Sequence, residues 1–284
     1  MNVICICSDT FRFDNLSCHG AEHVKTPNID AFAKKAVSFA NCMCSSFPTL
    51  PHRIDTFTGR VGFPHFGWGP MPTDVPTMAG ILGNNGYRTQ IIFDPPNLQK
   101  NNWWITRGFN ASHAVHGQEG DVTFLHCNDP IKEHLPEEKI RTETKRVGAY
   151  LADIHPWINW ERKTEFDYHC AKTAMEASKW LDLNYKAENM FLWVDIFDPH
   201  EPWDPPEYFV KRFDPDYDGL PMADPNYGLA TAYTDAELKN MKAHYRAEVT
   251  FVDKWIGFLL KKIEDVGWMD NTIILFTSDH GFQI

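Results

Sequence analysis

Val3-Ile4-Cys5-Ile6-Cys7-Ser8-Asp9-Thr10 is a short apolar run that stops abruptly on three polar residues. A run of that length bounded by a polar break reads as a buried strand. Cys5 and Cys7 alternate with Ile4 and Ile6, a use of thiols as small apolar side chains that is common in cores. Strands buried on both faces belong to parallel sheets, and the rest of the chain supplies their helices. Thr26-Pro27 opens a helix expected to reach about Ala40, with Thr as cap, Pro pre-set for the first turn, and Ile29, Phe32, Ala33, Ala36, Val37 and Ala40 on one face. A second helix should run from Thr49-Leu50-Pro51 to Thr58-Gly59, and a third from Val75 to Asn85, closed by Gly86.

Arg88 to Phe93 reads as the next strand. From about Phe93 to Glu143 periodicity fades into Pro, Asn, Gly, His and Trp, which predicts a surface excursion of the kind that lines pockets. Helical spacing returns from Thr164 to Lys186, and Met190 to Phe197 is a near-continuous apolar strand ending in Asp198-Pro199-His200-Glu201-Pro202. The clearest helix runs from Thr234 to about Asp265, with Thr234 and Glu237 spaced as a capping box. Thr272 to Thr277 is the last strand, and it delivers Ser278-Asp279-His280-Gly281. Alternating helix and strand predicts an α/β fold with a mainly parallel central sheet covered on both faces.

The 284 residues and 43% hydrophobic content suit one large domain that needs no disulfide to fold. A formal charge of -11 repels nucleic acid and leaves no basic stripe to bind it. No apolar stretch is long enough to span a membrane, and Met1 enters the first strand without a charged leader, so a soluble, cytoplasmic protein with no membrane partner is expected. Seven cysteines, among them Cys127, form no CxxC pair and read as free thiols.

Ligands in open parallel sheets sit beyond the carboxyl ends of the strands. Three such ends carry chemistry: Asp9, His200, and Asp279 with His280. Two carboxylates and an imidazole suit a divalent cation such as Mn, Zn, Mg or Ca. Thr49, placed at the amino end of a helix, would feel unpaired backbone N–H groups and the positive end of the dipole, which makes it a candidate nucleophile. Arg53 lies one turn further on the same face, able to hold the nucleophile or an ester oxygen. Taken singly, each residue has an ordinary use as a turn, loop or cap residue.

In order along the chain, these motifs resemble the sulfatase family of the alkaline phosphatase superfamily. The resemblance runs from Asn2-Val3-Ile4 through Ser8-Asp9-Thr10, Arg12 and Asp14, to Thr26-Pro27-Asn28-Ile29-Asp30, Pro51/Arg53 and Thr58-Gly59-Arg60. It continues in Gly86-Tyr87-Arg88-Thr89, in Asp198 to Pro202, and in Asn271 to Gly281. It implies an alkaline phosphatase-like αβα sandwich, Asp9, Asp279 and His280 as metal ligands, Thr49 at the nucleophile position, Arg53 as its support, and His200 at the substrate or leaving group. The substrate implied is a small sulfate or phosphate ester.

Four departures qualify what the resemblance implies. The family's Cys or Ser in C/S-x-P-x-R, which becomes formylglycine, is replaced in Thr49-Leu50-Pro51-His52-Arg53. Thr10 follows Asp9 where many members carry a second aspartate, and Asp94-Pro95-Pro96 replaces an expected Lys-Trp-His element. Members also continue well past Asp-His-Gly, so the fold is expected to be truncated at its C-terminus. A formylglycine hydrate can expel sulfate from its own carbon, whereas a sulfated threonine must await attack at a hindered sulfur. A phosphorylated threonine can be opened by water at phosphorus, which favours phosphate diester, monoester or phosphonate substrates beside the sulfate esters of the family. A non-catalytic binding protein or an inactive fragment of the fold is the competing reading.

Overall fold

The computed structural model describes residues 1–63, 65–123, 139, 145–146 and 149–284. The opening run is β1 (Asn2–Ser8), followed by α1 (Pro27–Ala33), α2 (Thr49–Thr58), α3 (Met78–Asn84), β2 (Arg88–Phe93) and β3 (Ala111–Ala114). A two-strand hairpin of β4 (Lys145–Arg146) and β5 (Ala149–Tyr150) leads to α4 (Leu151–Ile158), α5 (His169–Asn184), β6 (Met190–Ile196), α6 (Glu207–Val210), α7 (Asp235–Asp265) and β7 (Thr272–Ser278). The main sheet has the order β3-β2-β6-β1-β7, and all its pairings are parallel. β1 is thus flanked by β6 and β7, and its polar end lies beside theirs.

Side chains alternate across the sheet, so each strand feeds two cores. Ile4, Ile6, Leu192, Val194 and Ile196 pack with α5 and α7 residues such as Ala174, Leu181, Val252 and Leu259. Cys5, Cys7, Ile91, Phe93, Phe191 and Trp193 face Leu50, Ile54 and Phe57 of α2. The result is the expected αβα sandwich, with helices on both faces.

Three expectations need correction. α1 stops at Ala33 instead of reaching Ala40, and Ala36, Val37 and Ala40 are exposed. The cause is packing: Ile29 is the buried residue of α1, and its first turn docks on α7 where Asp253 accepts from the backbone N–H of Asn28 and Ile29. Asp253 thereby caps the helix, while Thr26 places its hydroxyl on Asp30 instead. The third helix begins at Met78, capped by the Thr77 side chain, which accepts from Gly80 N at 3.2 Å. The excursion after Phe93 contains β3, a short strand too poor in apolar residues to announce itself, paired to β2. Its later part and Cys127 lie outside the described residues, among which Cys5, Cys7, Cys18, Cys42, Cys44 and Cys170 are free thiols.

The capping box on α7 forms as expected, with Thr234 Oγ1 accepting from Glu237 N at 3.3 Å and Glu237 accepting from Thr234 N at 2.8 Å. Replacing Thr234 by alanine should lower unfolding stability by about 1 kcal/mol in chemical denaturation, with activity unchanged. Among the described residues, no helix is long and apolar enough to cross a membrane.

Candidate active site

The polar ends of β1 and β7 meet. Asp9, Asp279 and His280 each bring a ligand atom to a group whose members all lie within 4.8 Å of one another. Asp9 and Asp279 are buried, and Thr10 ties them together by donating its N–H to Asp279 Oδ1 at 2.9 Å and its hydroxyl to Asp9 Oδ1 at 2.7 Å. Thr10 therefore orients Asp9 from the position where many relatives were expected to carry a second aspartate. It does so in the left-handed region, at φ 59°, a conformation unfavourable for a β-branched residue.

His280 tests whether these residues fit a metal. Its Nδ1 lies 2.9 Å from the Gly281 carbonyl, which can only accept, so Nδ1 carries the proton. Nε2 is buried without a hydrogen-bond partner and faces Asp279 Oδ2 at 3.5 Å and Asp9 Oδ1 at 3.7 Å. In the neutral ring a lone pair there would confront two carboxylates, an arrangement that a cation between them resolves.

Arg53 reaches the same cluster from α2. Its side chain is fully buried, and it bonds Asp279 Oδ2 through Nη1 at 2.6 Å and Asp9 Oδ2 through Nη2 at 3.3 Å. A third carboxylate, Asp195 of β6, takes Nε at 2.9 Å and Nη2 at 2.7 Å. With all three carboxylates ionised, one guanidinium leaves two negative charges uncompensated, each in a side chain with no solvent exposure. Unpaired buried charge is strongly unfavourable, and a dication would neutralise it. The donor set and the charge therefore both fit a divalent metal.

The carboxylates respond to one another. Burial, then the neighbouring Asp279, push Asp9 well above the usual carboxylate range. Burial also raises Asp279, but Arg53 and His280 outweigh it and the net shift is downward. The raised Asp9 contributes stability that is present at acid pH and lost as pH rises from its unfolded value through its folded one. The lowered Asp279 matters only below its unfolded value. Metal-free protein should therefore lose stability on going from about pH 5 to about pH 8, and the gain in Tm from added Mn should be larger at the higher pH. Thermal unfolding with EDTA and with Mn at both values checks this; a gain that shrinks with pH would contradict it.

Thr49 is the first residue of α2, as the sequence suggested, and is buried. The loop before it carries Phe47, whose ring packs edge-on against His280 with centroids 4.7 Å apart. That contact and Arg53 bring the amino end of α2 to the Asp9 group. His52, between Pro51 and Arg53, has its Nδ1 buried without a partner, and burial followed by Arg53 lowers its pKa to about 4.

His200 shares this end of the sheet but not the cluster. Its ring stacks on Phe197 at 4.0 Å, and its Nδ1 meets the Glu201 carbonyl at 2.7 Å. The loop that carries it is held near β1 by Ser8 Oγ, which donates to Asp198 O at 2.6 Å. Asp94, in place of the expected lysine element, is buried and accepts from Thr173 Oγ1 and Phe197 N. Sequence reading missed Asp195 altogether. The available signal was an aspartate inside an otherwise apolar strand, which needs a buried partner.

Comparison with known proteins gives the family and the fold. The family model described as Sulfatase matches residues 1–284. An arylsulfatase of Clostridium perfringens is 26% identical over 99% of this chain and 63% of its own length. An N-acetylgalactosamine-6-O-sulfatase of Bacteroides thetaiotaomicron is 24% identical over 99% of this chain and 58% of its own. The crystal structure of the phosphonate monoester hydrolase of Agrobacterium radiobacter superposes with a TM-score of 0.72 at 22% identity, covering 99% of this chain and 62% of that one. The chain thus spans less than two thirds of the length of these relatives. With the family model matched from Met1 to Ile284, the chain belongs to the sulfatase family.

Proposed function

We propose that this chain carries the metal site and nucleophile of a hydrolase that cleaves sulfate or phosphate and phosphonate esters. The observation that carries the reading is the meeting of Asp9, Asp279 and His280, bridged by Arg53, at the amino end of α2. Asp9, Asp279 and His280 would hold the cation, with Mn, Zn, Mg and Ca all compatible with such donors. Bound there, it would polarise an ester oxygen and make a nearby hydroxyl more acidic.

Thr49 would supply the nucleophile. At the first position of α2 its oxygen lies in the field of unpaired backbone N–H groups, which favours the alkoxide and an anionic ester alike. Attack by Thr49 Oγ1 at sulfur or phosphorus would form a threonyl sulfate, phosphate or phosphonate ester and release the alcohol, and water attacking the same centre would then release the acid anion and return the threonine. His200 is the candidate to protonate the leaving oxygen, being on the same end of the sheet with a neighbouring carbonyl fixing its ring. Arg53 makes four hydrogen bonds to carboxylates, so its part is to hold the ligands more than to grip the substrate.

Family membership favours sulfate esters, while a threonine in place of a formylglycine precursor favours phosphorus. Assay of purified protein on aryl sulfate, aryl phosphate diester and phosphonate esters with added Mn, Zn or Ca tests the reading. Turnover of one class above a Thr49→Ala control supports it. No turnover of any would favour a non-catalytic binding role or an inactive fragment.

A further inference from the structure

Asp195 is the penultimate residue of a strand whose seven residues are all buried, between Val194 and Ile196, with its own side chain fully inaccessible. A carboxylate in such a place is unfavourable unless its partners are specific. They are: Arg53 donates to both of its oxygens, and Trp193 Nε1 donates to Oδ2 at 2.8 Å. Charge balance does not explain it, because Asp9 and Asp279 already supply more negative charge than Arg53 can neutralise. Asp195 makes the excess larger. What it adds is geometry.

A guanidinium has five N–H donors in one plane. Asp195 takes the Nε edge with a two-point contact, the strongest and most directional way to hold an arginine. Once that edge is fixed, Nη1 and the second Nη2 proton can point only where Asp279 and Asp9 lie. β6 pairs with β1 in register, with Cys7 opposite Asp195, so the clamp is mounted on the strand next to the one that delivers Asp9.

We propose that Asp195 is a positioning residue of this site: by clamping Arg53 it holds the guanidinium in the plane from which it bridges Asp9 and Asp279, and so sets both carboxylates for the cation. This rests on the metal-site reading above. Arg53 thereby acts as a spacer between ligands.

The test is Mn binding by metal-free protein, measured by calorimetry. Asp195→Asn should bind Mn about 10- to 100-fold more weakly than wild type while still unfolding cooperatively. In an Arg53→Met background the same substitution should cause no further loss, because the clamp then has nothing to hold. Should the asparagine amide clash with the Arg53 fork and prevent folding, Asp195→Ser gives the same comparison. An unchanged Mn affinity in a folded Asp195 variant overturns the proposal, and so does a full, additive loss in the Arg53→Met background. Wild-type protein that binds Mn but cleaves no ester would sink the hydrolase reading and leave this comparison standing. Wild type that binds no cation overturns both.

Discussion

Thr49→Ala should abolish ester hydrolysis, lowering kcat by ~10³-fold or more, while Mn affinity stays within a few-fold of wild type. The expectation follows from position. Thr49 opens α2, and the same helix sends Arg53 into the carboxylate cluster one turn later, so the proposed reading puts its hydroxyl under the helix dipole and the cation together. Thr49→Ser keeps the hydroxyl and should retain a substantial part of the activity. Single-turnover assays on the best ester substrate, alongside Mn calorimetry, separate chemistry from binding. An alanine variant within tenfold of wild type would mean that the nucleophile lies elsewhere.

Arg53→Met should destabilise the metal-free protein by about 3–5 kcal/mol, because it leaves three carboxylates buried without their counter-charge. The direction of rescue is specific. Added dication should recover part of the lost Tm at neutral pH, and acid should recover part of it in EDTA by protonating Asp9, whose pKa burial already raises. Chemical denaturation in EDTA and in Mn measures both effects. A loss below about 1 kcal/mol would show that the ion pairs contribute little, as exposed pairs do.

Elements whose pattern is local were legible in the sequence. β1, β2, β6 and β7 are apolar runs with abrupt ends, and α7 carries its own capping box, so their bounds differ from the sequence reading by a residue or so. α1 was overextended because Ala36, Val37 and Ala40 continue the apolar spacing, yet periodicity alone cannot say whether a partner surface is present. β3 was missed because Ala111-Ser112-His113-Ala114 has no β-branched residue and no Phe, Tyr or Trp to mark it.

The site divided along the same line. Asp9, Asp279 and His280, which the fold brings together, stand out as candidates in the sequence because each follows a strand at the end where parallel sheets bind ligands. Asp195 was invisible because the residue that explains it, Arg53, is 142 positions away, and only the fold brings them together. His200 was placed at the right end of the sheet, but its contacts with Phe197 and Glu201 could not be read from a Pro-rich loop.

The cation can be located directly by anomalous diffraction from crystals soaked in Mn. One peak is expected roughly 2.0–2.6 Å from a carboxylate oxygen of Asp9, one of Asp279 and Nε2 of His280, and absent from Asp279→Asn crystals. Well-ordered crystals with no peak there, or with Mn held by other residues, would contradict a metal site at the joined ends of β1 and β7.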